Sequence, residues 1–261
     1  MDLQTDSAAY DLVFGKGPVL EVLENGNLTV NKIWISESLQ DRDTKSRIVD
    51  FAKENKVPYF KVPLKKLDNL TKGQNHQGLV VSISPIKILS VDELIDSSYK
   101  LNKNTDVMLI ANEIEDTHNI GALIRTLVAS GGSGVILTGR KNTGVNATII
   151  KTSAGTVFQT KLARASNCSQ VLKKLQDSGY WVVAADNSDD AQVVSKIDFP
   201  DKIAIIVGNE HEGLGDLVLK NSDFRVKIPI SNKVDSLNVS VAFSIVLYEF
   251  LRQKNYSTIQ I

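Results

Sequence analysis

A chain of 261 residues with 42% hydrophobic and 23% charged residues can bury a sizeable core, and its composition excludes the disordered, collagen-like and disulfide-stapled classes. A formal net charge of zero excludes a uniformly basic nucleic-acid binder, and the single cysteine, Cys168, excludes an intrachain disulfide or a multi-cysteine metal site. No apolar run approaches the roughly 18 residues that cross a bilayer. Met1 to Tyr10 lacks the basic-then-apolar order of a signal peptide, so a cytoplasmic protein with no membrane partner is expected. Cys168 reads as a buried, inert thiol.

The first part of the chain alternates helical and strand-like patterns. A helical pattern at 17–25 precedes a strand at 32–36 centred on Ile33-Trp34-Ile35, a helix at 41–55, and strands at 57–62 and 78–83. Together they predict a small N-terminal α/β domain over residues 10–85. Within it Lys53, Lys56, Lys61, Lys65, Lys66 and Lys72 stand against only Glu54 and Asp68, and Tyr59 and Phe60 are available to stack on bases. Residues 86–105 are more polar, with a short helical pattern at 91–95, and predict a linker.

A second domain is expected over 106–255. Short apolar runs at 107–111, 135–137, 181–185 and 203–207, separated by helical stretches at 120–129 and 169–178, read as buried parallel strands of an α/β sheet. Residues 131–134 read as a turn feeding a strand. The last segment, 239–253, is apolar on nearly every side, which predicts that its second face is covered by a partner subunit. Charge is segregated here. From Thr117 to Gln176 there is no Asp or Glu, while Arg125, Arg140, Lys141, Lys151, Lys161, Arg164, Lys173 and Lys174 are all basic. The following stretch reverses the sign, with Asp177, Asp186, Asp189, Asp190, Asp198, Asp201, Glu210, Glu212 and Asp216 against Lys196 and Lys202. A polyanionic partner suits the basic stretches.

Open α/β sheets bind ligands beyond the carboxyl ends of their strands, so the loops after each run are the places to look for chemistry. No G-x-G-x-x-G follows a first strand and no G-x-x-x-x-G-K-[ST] occurs, which excludes the common dinucleotide and nucleotide-phosphate cradles. In the loop 112–125, Asn119 is placed to cap a helix, and Arg125, six residues on, is a cation able to grip phosphate or to make a surface salt bridge. A second loop reads Gly208-Asn209-Glu210-His211-Glu212-Gly213. Adjacent side chains there rarely converge on one ion, so no metal is expected. The third, 228–242, passes from a strand end through a polar loop into the apolar helix, and sets Ser236, Asn238 and Ser240 at the helix mouth, where at least one is a cap.

These three loops, in this order, resemble the three motifs of the SpoU/TrmH family of SPOUT RNA methyltransferases: Asn119-Ile120-Gly121-Ala122 with Arg125, then Gly208-Asn209-Glu210, then Ser236-Leu237-Asn238-Val239-Ser240 with Leu247-Tyr248-Glu249. Lys151-Thr152-Ser153-Ala154-Gly155 and Asn75-His76-Gln77-Gly78-Leu79 resemble the subgroup that carries an N-terminal substrate-binding domain and modifies guanosine in large-subunit ribosomal RNA. The resemblance covers about residues 10–253. It implies a C-terminal parallel-sheet domain with a deep trefoil knot, a homodimer, and RNA rather than DNA as the partner. It also implies S-adenosylmethionine as cofactor, near Gly208, Ile228 and Leu237, with Ala185, Asn209, Ile230 and Ser236 around it. The target ribose then lies near Arg125, Glu210 and Asn238, supported by Asn119 and Ser240. Thr117, His211 and Asn232 depart from the family pattern, and Asn232 stands where glycine is usual, a place where Asn tolerates a left-handed backbone.

Arginine stays protonated to about pH 12, so Arg125 is expected to orient phosphate and stabilise a developing alkoxide rather than to act as base. A transfer RNA enzyme of the same family is the alternative, and such enzymes commonly lack the N-terminal domain. A catalytically silent RNA-binding homologue would lack Arg125, Glu210 or Asn238, all of which are present. A nicotinamide-dependent dehydrogenase would need the glycine-rich first turn that is missing.

Overall fold

The computed structural model describes residues 11–24, 28–101, 103–139 and 145–259; Met1 to Tyr10, Arg140 and Lys141 lie outside the described residues. The chain forms two compact units, Met1–Ile86 with Val145–Phe158, and Lys87–Gly144 with Gln159–Ile261.

The first unit contains β1 (Asp11–Phe14), α1 (Lys16–Glu24), β2 (Val30–Ser36), α2 (Arg42–Glu54), β3 (Tyr59–Val62), α3 (Leu64–Thr71) and β4 (Leu79–Ile83). Its strands join in the order β1-β4-β2-β3, with β2 and β3 parallel and the other pairs antiparallel. Alternation along β2 sends Trp34 to the face covered by Leu67 and Leu70 of α3. Ile33 and Ile35, on the opposite face, are fully buried. Asp41 caps α2, accepting from the Thr44 amide at 3.0 Å. The Lys16 ammonium donates to the same carboxyl at 2.5 Å, and these bonds hold its pKa down at about 2.

The second unit begins at Lys87. Residues 86–105, whose polarity suggests a connector, hold β5 (Ile88–Leu89) and α4 (Val91–Tyr99). Ser90 and Glu93 form a reciprocal capping box at the start of α4, and its Val91, Leu94 and Ile95 enter the main core of this unit. There follow β6 (Asp106–Asn112), α5 (Thr117–Ala129) and β7 (Gly134–Thr138). The chain then contributes α6 (Ala147–Thr152) to the first unit. Ile149, Ile150 and Val157 are buried there. Gly155 has φ +78°, and a Cβ on it would lie 1.8 Å from Glu21 Cγ of α1, which is a steric reason for glycine at the end of the Lys151–Gly155 string.

Returning to the second unit, the chain adds β8 (Lys161–Ala165), α7 (Cys168–Asp177), β9 (Trp181–Ala185), β10 (Gln192–Val193), β11 (Lys202–Val207), α8 (Asp216–Lys220), β12 (Phe224–Lys227) and α9 (Val239–Gln253). The strands form one parallel sheet in the order β10-β12-β9-β11-β6-β7-β8-β5. Met108, Ile110, Ile136, Ala204 and Ile206 on one face pack with Leu94 of α4 and with Val171, Leu172 and Leu175 of α7. Alternate residues such as Val107, Leu109 and Ile205 are equally buried, on the side where α5 and α9 lie against β6 and β11. Cys168, half-buried, has its thiol pushed up to about 11 by burial.

The last helix is buried along Phe243, Val246, Leu247, Phe250 and Leu251. Its other side exposes Val241 (46%), Ile245 (37%) and Tyr248 (61%), a second apolar stripe at helical spacing.

At the amino end of the sheet, far along β6 from the loops that follow it, the buried Tyr180 hydroxyl donates to Asp106 Oδ2 at 2.5 Å. Asp106 Oδ1 has no hydrogen-bond partner among the described residues. Burial raises the Tyr180 phenol well above its ordinary pKa, so it stays a donor at all working pH values. Tyr180→Phe removes the remaining partner of a buried carboxyl and is expected to cost about 1–3 kcal/mol in urea unfolding. Ligand binding by the loops at the opposite end of the strands is expected to be unchanged by calorimetry.

Candidate active site

The register of the parallel strands decides which loops meet. Ala111 pairs with Val207, Asn112 with Thr138, Ala184 with Ile206, and Ala185 with Val226, so β6, β7, β9, β11 and β12 finish on one edge. The loops leaving that edge carry Asn119, Gly208 to Gly213, and the stretch from Ile228 to Ser240.

Four of the residues expected at the site form one continuous set of hydrogen bonds. The Ser240 amide donates to Asn238 Oδ1 at 2.9 Å, and the Ser240 hydroxyl donates to the same oxygen at 2.6 Å. Asn238 Nδ2 donates to Asn119 Oδ1 at 3.0 Å, and Asn119 Nδ2 donates to Glu210 Oε1 at 2.9 Å. Asn238 is the N-cap of α9, so one of the small polar residues at the helix mouth is indeed a cap. Asn119 is not. Asp116 caps α5 by accepting from the His118 amide at 2.8 Å, which places Asn119 inside the first turn with its carboxamide free to bridge the two other loops. The cap expected at Asn119 is therefore corrected: Asp116, nearer the first free amides, takes that role.

Arg125 lies outside this set. It sits on α5 six residues after Asn119, about 9 Å farther along the helix axis, is exposed, and makes no ion pair or hydrogen bond among the described residues. The surface salt bridge open to it in the sequence is absent among the described residues, and its five donors are available to a ligand.

The residues expected around the cofactor occupy the ends of β9, β11 and β12 and the following loops. At Gly208 a Cβ would lie 2.2 Å from the Gly213 carbonyl oxygen and 2.7 Å from the Leu214 amide, so no side chain fits while the loop folds back on itself. Asn209 holds that fold: its Oδ1 accepts from the amides of His211 (2.9 Å) and Glu212 (3.3 Å), while Nδ2 donates to the Glu113 carbonyl at 3.0 Å. Ala185, Ile228, Ile230 and Leu237 are half-buried and Ser236 is exposed. Such half-covered aliphatic groups beside backbone at strand ends suit the flat apolar faces and ring-edge donors of an adenosyl group.

Several framework residues carry no motif of their own. Asn187, after β9, donates to the Asp235 carbonyl at 2.7 Å and thereby ties the β9 loop to the loop before α9. Arg225 on β12 bonds Asp186 Oδ2 from Nε (2.9 Å) and Nη2 (2.7 Å), and reaches Asp190 from Nη1 at 2.5 Å. Burial would raise the Asp186 carboxyl, but bonds from Ser188 and Arg225 outweigh it and hold the group below its ordinary pKa. The alternation of sign between Asp186 or Asp190 and Arg225 is the available signal in the sequence. Of the departures from the family pattern, Thr117 is the first residue of α5, His211 is exposed, and Asn232 is not among the residues with positive φ, so its position makes no demand for glycine.

A sequence profile of the SpoU rRNA methylase family matches residues 106–248, and one described as RNA 2'-O ribose methyltransferase substrate binding matches residues 12–89. A Bacillus subtilis protein assigned to the TrmH family of tRNA/rRNA methyltransferases is 32% identical over 249 residues, covering 95% of this chain and 98% of that one. A Staphylococcus haemolyticus protein with the same assignment is 35% identical over 246 residues, covering 94% and 96%. Among solved structures, the SpoU methyltransferase AviRb of Streptomyces viridochromogenes in complex with AdoMet aligns with a TM-score of 0.79 at 22% identity over 95% of this chain and 91% of that one. An RNA 2'-O ribose methyltransferase aligns with a TM-score of 0.74 at 25% identity over 96% and 91%. The chain belongs to the SpoU methylase family of RNA 2'-O ribose methyltransferases.

Proposed function

We propose that the protein transfers a methyl group from S-adenosylmethionine to the 2'-oxygen of a guanosine ribose in large-subunit ribosomal RNA. The observation that carries the reading is the hydrogen-bonded set Ser240, Asn238, Asn119 and Glu210 at the carboxyl edge of the sheet, with Arg125 on the same helix as Asn119 and making no ion pair or hydrogen bond among the described residues. The preference for ribosomal RNA rests on the substrate-binding domain at 12–89, which the alternative, a transfer RNA enzyme of the family, commonly lacks.

The cofactor, held by Gly208, Asn209, Ile228, Ile230, Ser236, Leu237 and Ala185, supplies an electrophilic methyl carbon. The protein's task is then alignment and charge control. Arg125 binds the phosphate next to the target ribose and stabilises the negative charge that grows on the 2'-oxygen. Glu210 and Asn238 position the ribose: Glu210 keeps one carboxylate oxygen on Asn119 and offers the other to the 2'-hydroxyl hydrogen. Asn119 and Ser240 act through their neighbours, as positioning residues. A deep trefoil knot is typical of this fold. Residues 10–85 serve as the RNA-binding domain and 106–255 as the catalytic domain, while 86–105 lead from one to the other and fold, as β5 and α4, with the second unit; the protein works in the cytoplasm as a homodimer. Support for the dimer comes from the exposed Val241, Ile245 and Tyr248 on α9.

Purified protein given methyl-labelled S-adenosylmethionine and undermodified ribosomal RNA is expected to label one guanosine 2'-oxygen. Absence of transfer to any ribosomal or transfer RNA, with the cofactor bound, overturns the reading. Arg125→Ala is expected to lower kcat by about 10²–10³-fold with cofactor affinity retained. Asn238→Asp keeps the cap but turns an oxygen toward Asn119 Oδ1, so stability is expected to stay within about 1 kcal/mol while methyl transfer falls about 10²-fold. Tyr248→Glu combined with Ile245→Glu is expected to convert the dimer to a monomer in sedimentation, whereas an unchanged dimer places the interface elsewhere.

A further inference from the structure

The first unit contains a cavity of about 500 Å³ between the β2–α2 turn, the start of α3 and the loop 73–78. Its size falls in the range of roughly 300–1,000 Å³ typical of small-ligand sites. Its wall combines two aliphatic side chains, Leu39 and Leu64, with four carboxamides, Gln40, Gln74, Asn75 and Gln77.

Part of this wall is structural. His76 is buried; its Nδ1 accepts from the Gly78 amide at 2.9 Å, which leaves the proton on Nε2 to bond Asp68 Oδ1 at 3.1 Å. Gly78 has φ +81°, and a Cβ there would lie 3.3 Å from Ser36 Cβ. Gln77 Oε1 accepts from the Lys16 amide at 2.8 Å and Asn75 Oδ1 from the Gln77 amide at 3.3 Å. The fold therefore accounts for the imidazole, the glycine and two amide oxygens. It leaves over the Nδ2 of Asn75, the Nε2 of Gln77, and the whole carboxamides of Gln40 and Gln74, none of which is bonded among the described residues.

Paired donors and acceptors on short planar amides, set beside accessible aliphatic carbon, match the edge and the face of a nucleobase. The flanking charge matches its backbone. Lys65 and Lys66 follow Leu64 directly and Lys72 precedes Gly73; all three are exposed and make no ion pair among the described residues, while Asp68 is bonded to His76.

We infer that this cavity is a nucleobase-binding site: it receives one unstacked base of single-stranded RNA, read by Gln40, Gln74 and Asn75 over Leu39 and Leu64, with Lys65, Lys66 and Lys72 on the adjoining phosphates. The inference rests on the RNA methyltransferase reading and adds a contact remote in sequence from the reaction. A peptide segment in the cavity would instead leave binding indifferent to bases.

The test uses the full chain and two short fluorescein-labelled single-stranded RNAs of mixed sequence, identical except that the central nucleotides of one are abasic. Anisotropy is expected to show the complete RNA binding about tenfold tighter, the scale of one base contact. Gln40→Ala combined with Gln74→Ala, side chains that hold no bond in the fold, is expected to erase that difference while leaving the melting temperature and the affinity for S-adenosylmethionine unchanged. Equal binding of the two RNAs by the unmodified protein, binding of neither, or a difference that survives the double substitution overturns the site. Failure of the underlying reading is separately visible, because the unmodified protein would then transfer no label to any RNA.

Discussion

The carboxamide of Asn119 donates from Nδ2 to Glu210 and accepts at Oδ1 from Asn238, so one buried side chain joins loops 91 and 119 residues away. The direction of every bond in that set is determined by its ends. A backbone amide, that of Ser240, can only donate, and at the other end Glu210 Oε1 is the acceptor of the Asn119 Nδ2 hydrogen. Between them each carboxamide has a single consistent orientation, oxygen toward Ser240 and nitrogen toward Glu210. A carboxamide presents a donor and an acceptor from one short planar group, so Asp at Asn119 sets oxygen against Glu210 Oε1 and Leu breaks both links of the bridge.

This bridge works only because the sheet brings its anchors to one edge. Glu210 follows β11, Asn119 follows β6, and those two strands are neighbours in parallel register. Asn209 reinforces the same pairing one residue earlier, since its Nδ2 reaches the Glu113 carbonyl after β6 while its Oδ1 shapes the turn that presents Glu210. Glycine at 208 is the steric condition for that turn. Arg125 is treated differently: a fully engaged guanidinium would have little left to offer a phosphate, and on α5 it is exposed and unpaired among the described residues.

Much of this is legible in the residues. The apolar runs at 107–111, 181–185 and 203–207 are strands because a parallel sheet covered on both faces needs continuous hydrophobicity, and few other environments sustain runs of that length and composition. β8 is not legible, since Lys161 and Arg164 flank its buried Leu162 and Ala163 and leave only a two-residue apolar run. α4 hides for a related reason: a polar helix with one apolar stripe resembles a connector until its stripe is seen against a sheet. At the site, the motif strings identify Asn119, Glu210, Asn238 and Ser240, but not what Asn119 does. Local spacing suggests a cap, and Asp116, three residues earlier, takes that role; the bridging function depends on partners whose separation in sequence no local pattern encodes.

The zero net charge is compatible with an RNA partner because the charges left unpaired are not evenly distributed along the chain. Asp186 and Asp190 are bonded to Arg225, Asp41 to Lys16, Asp92 to Lys174 and Asp201 to Lys254. By contrast Lys53, Lys56, Lys61, Lys65, Lys66 and Lys72 are exposed in the first unit and form no ion pair among the described residues. A carboxylate held by an adjacent cation contributes little field beyond a Debye length of roughly 8 Å at physiological salt, whereas unpaired lysines on one segment add their fields. Attraction for a polyanion is therefore set by where charge is left unpaired, and the sum over the chain conceals it.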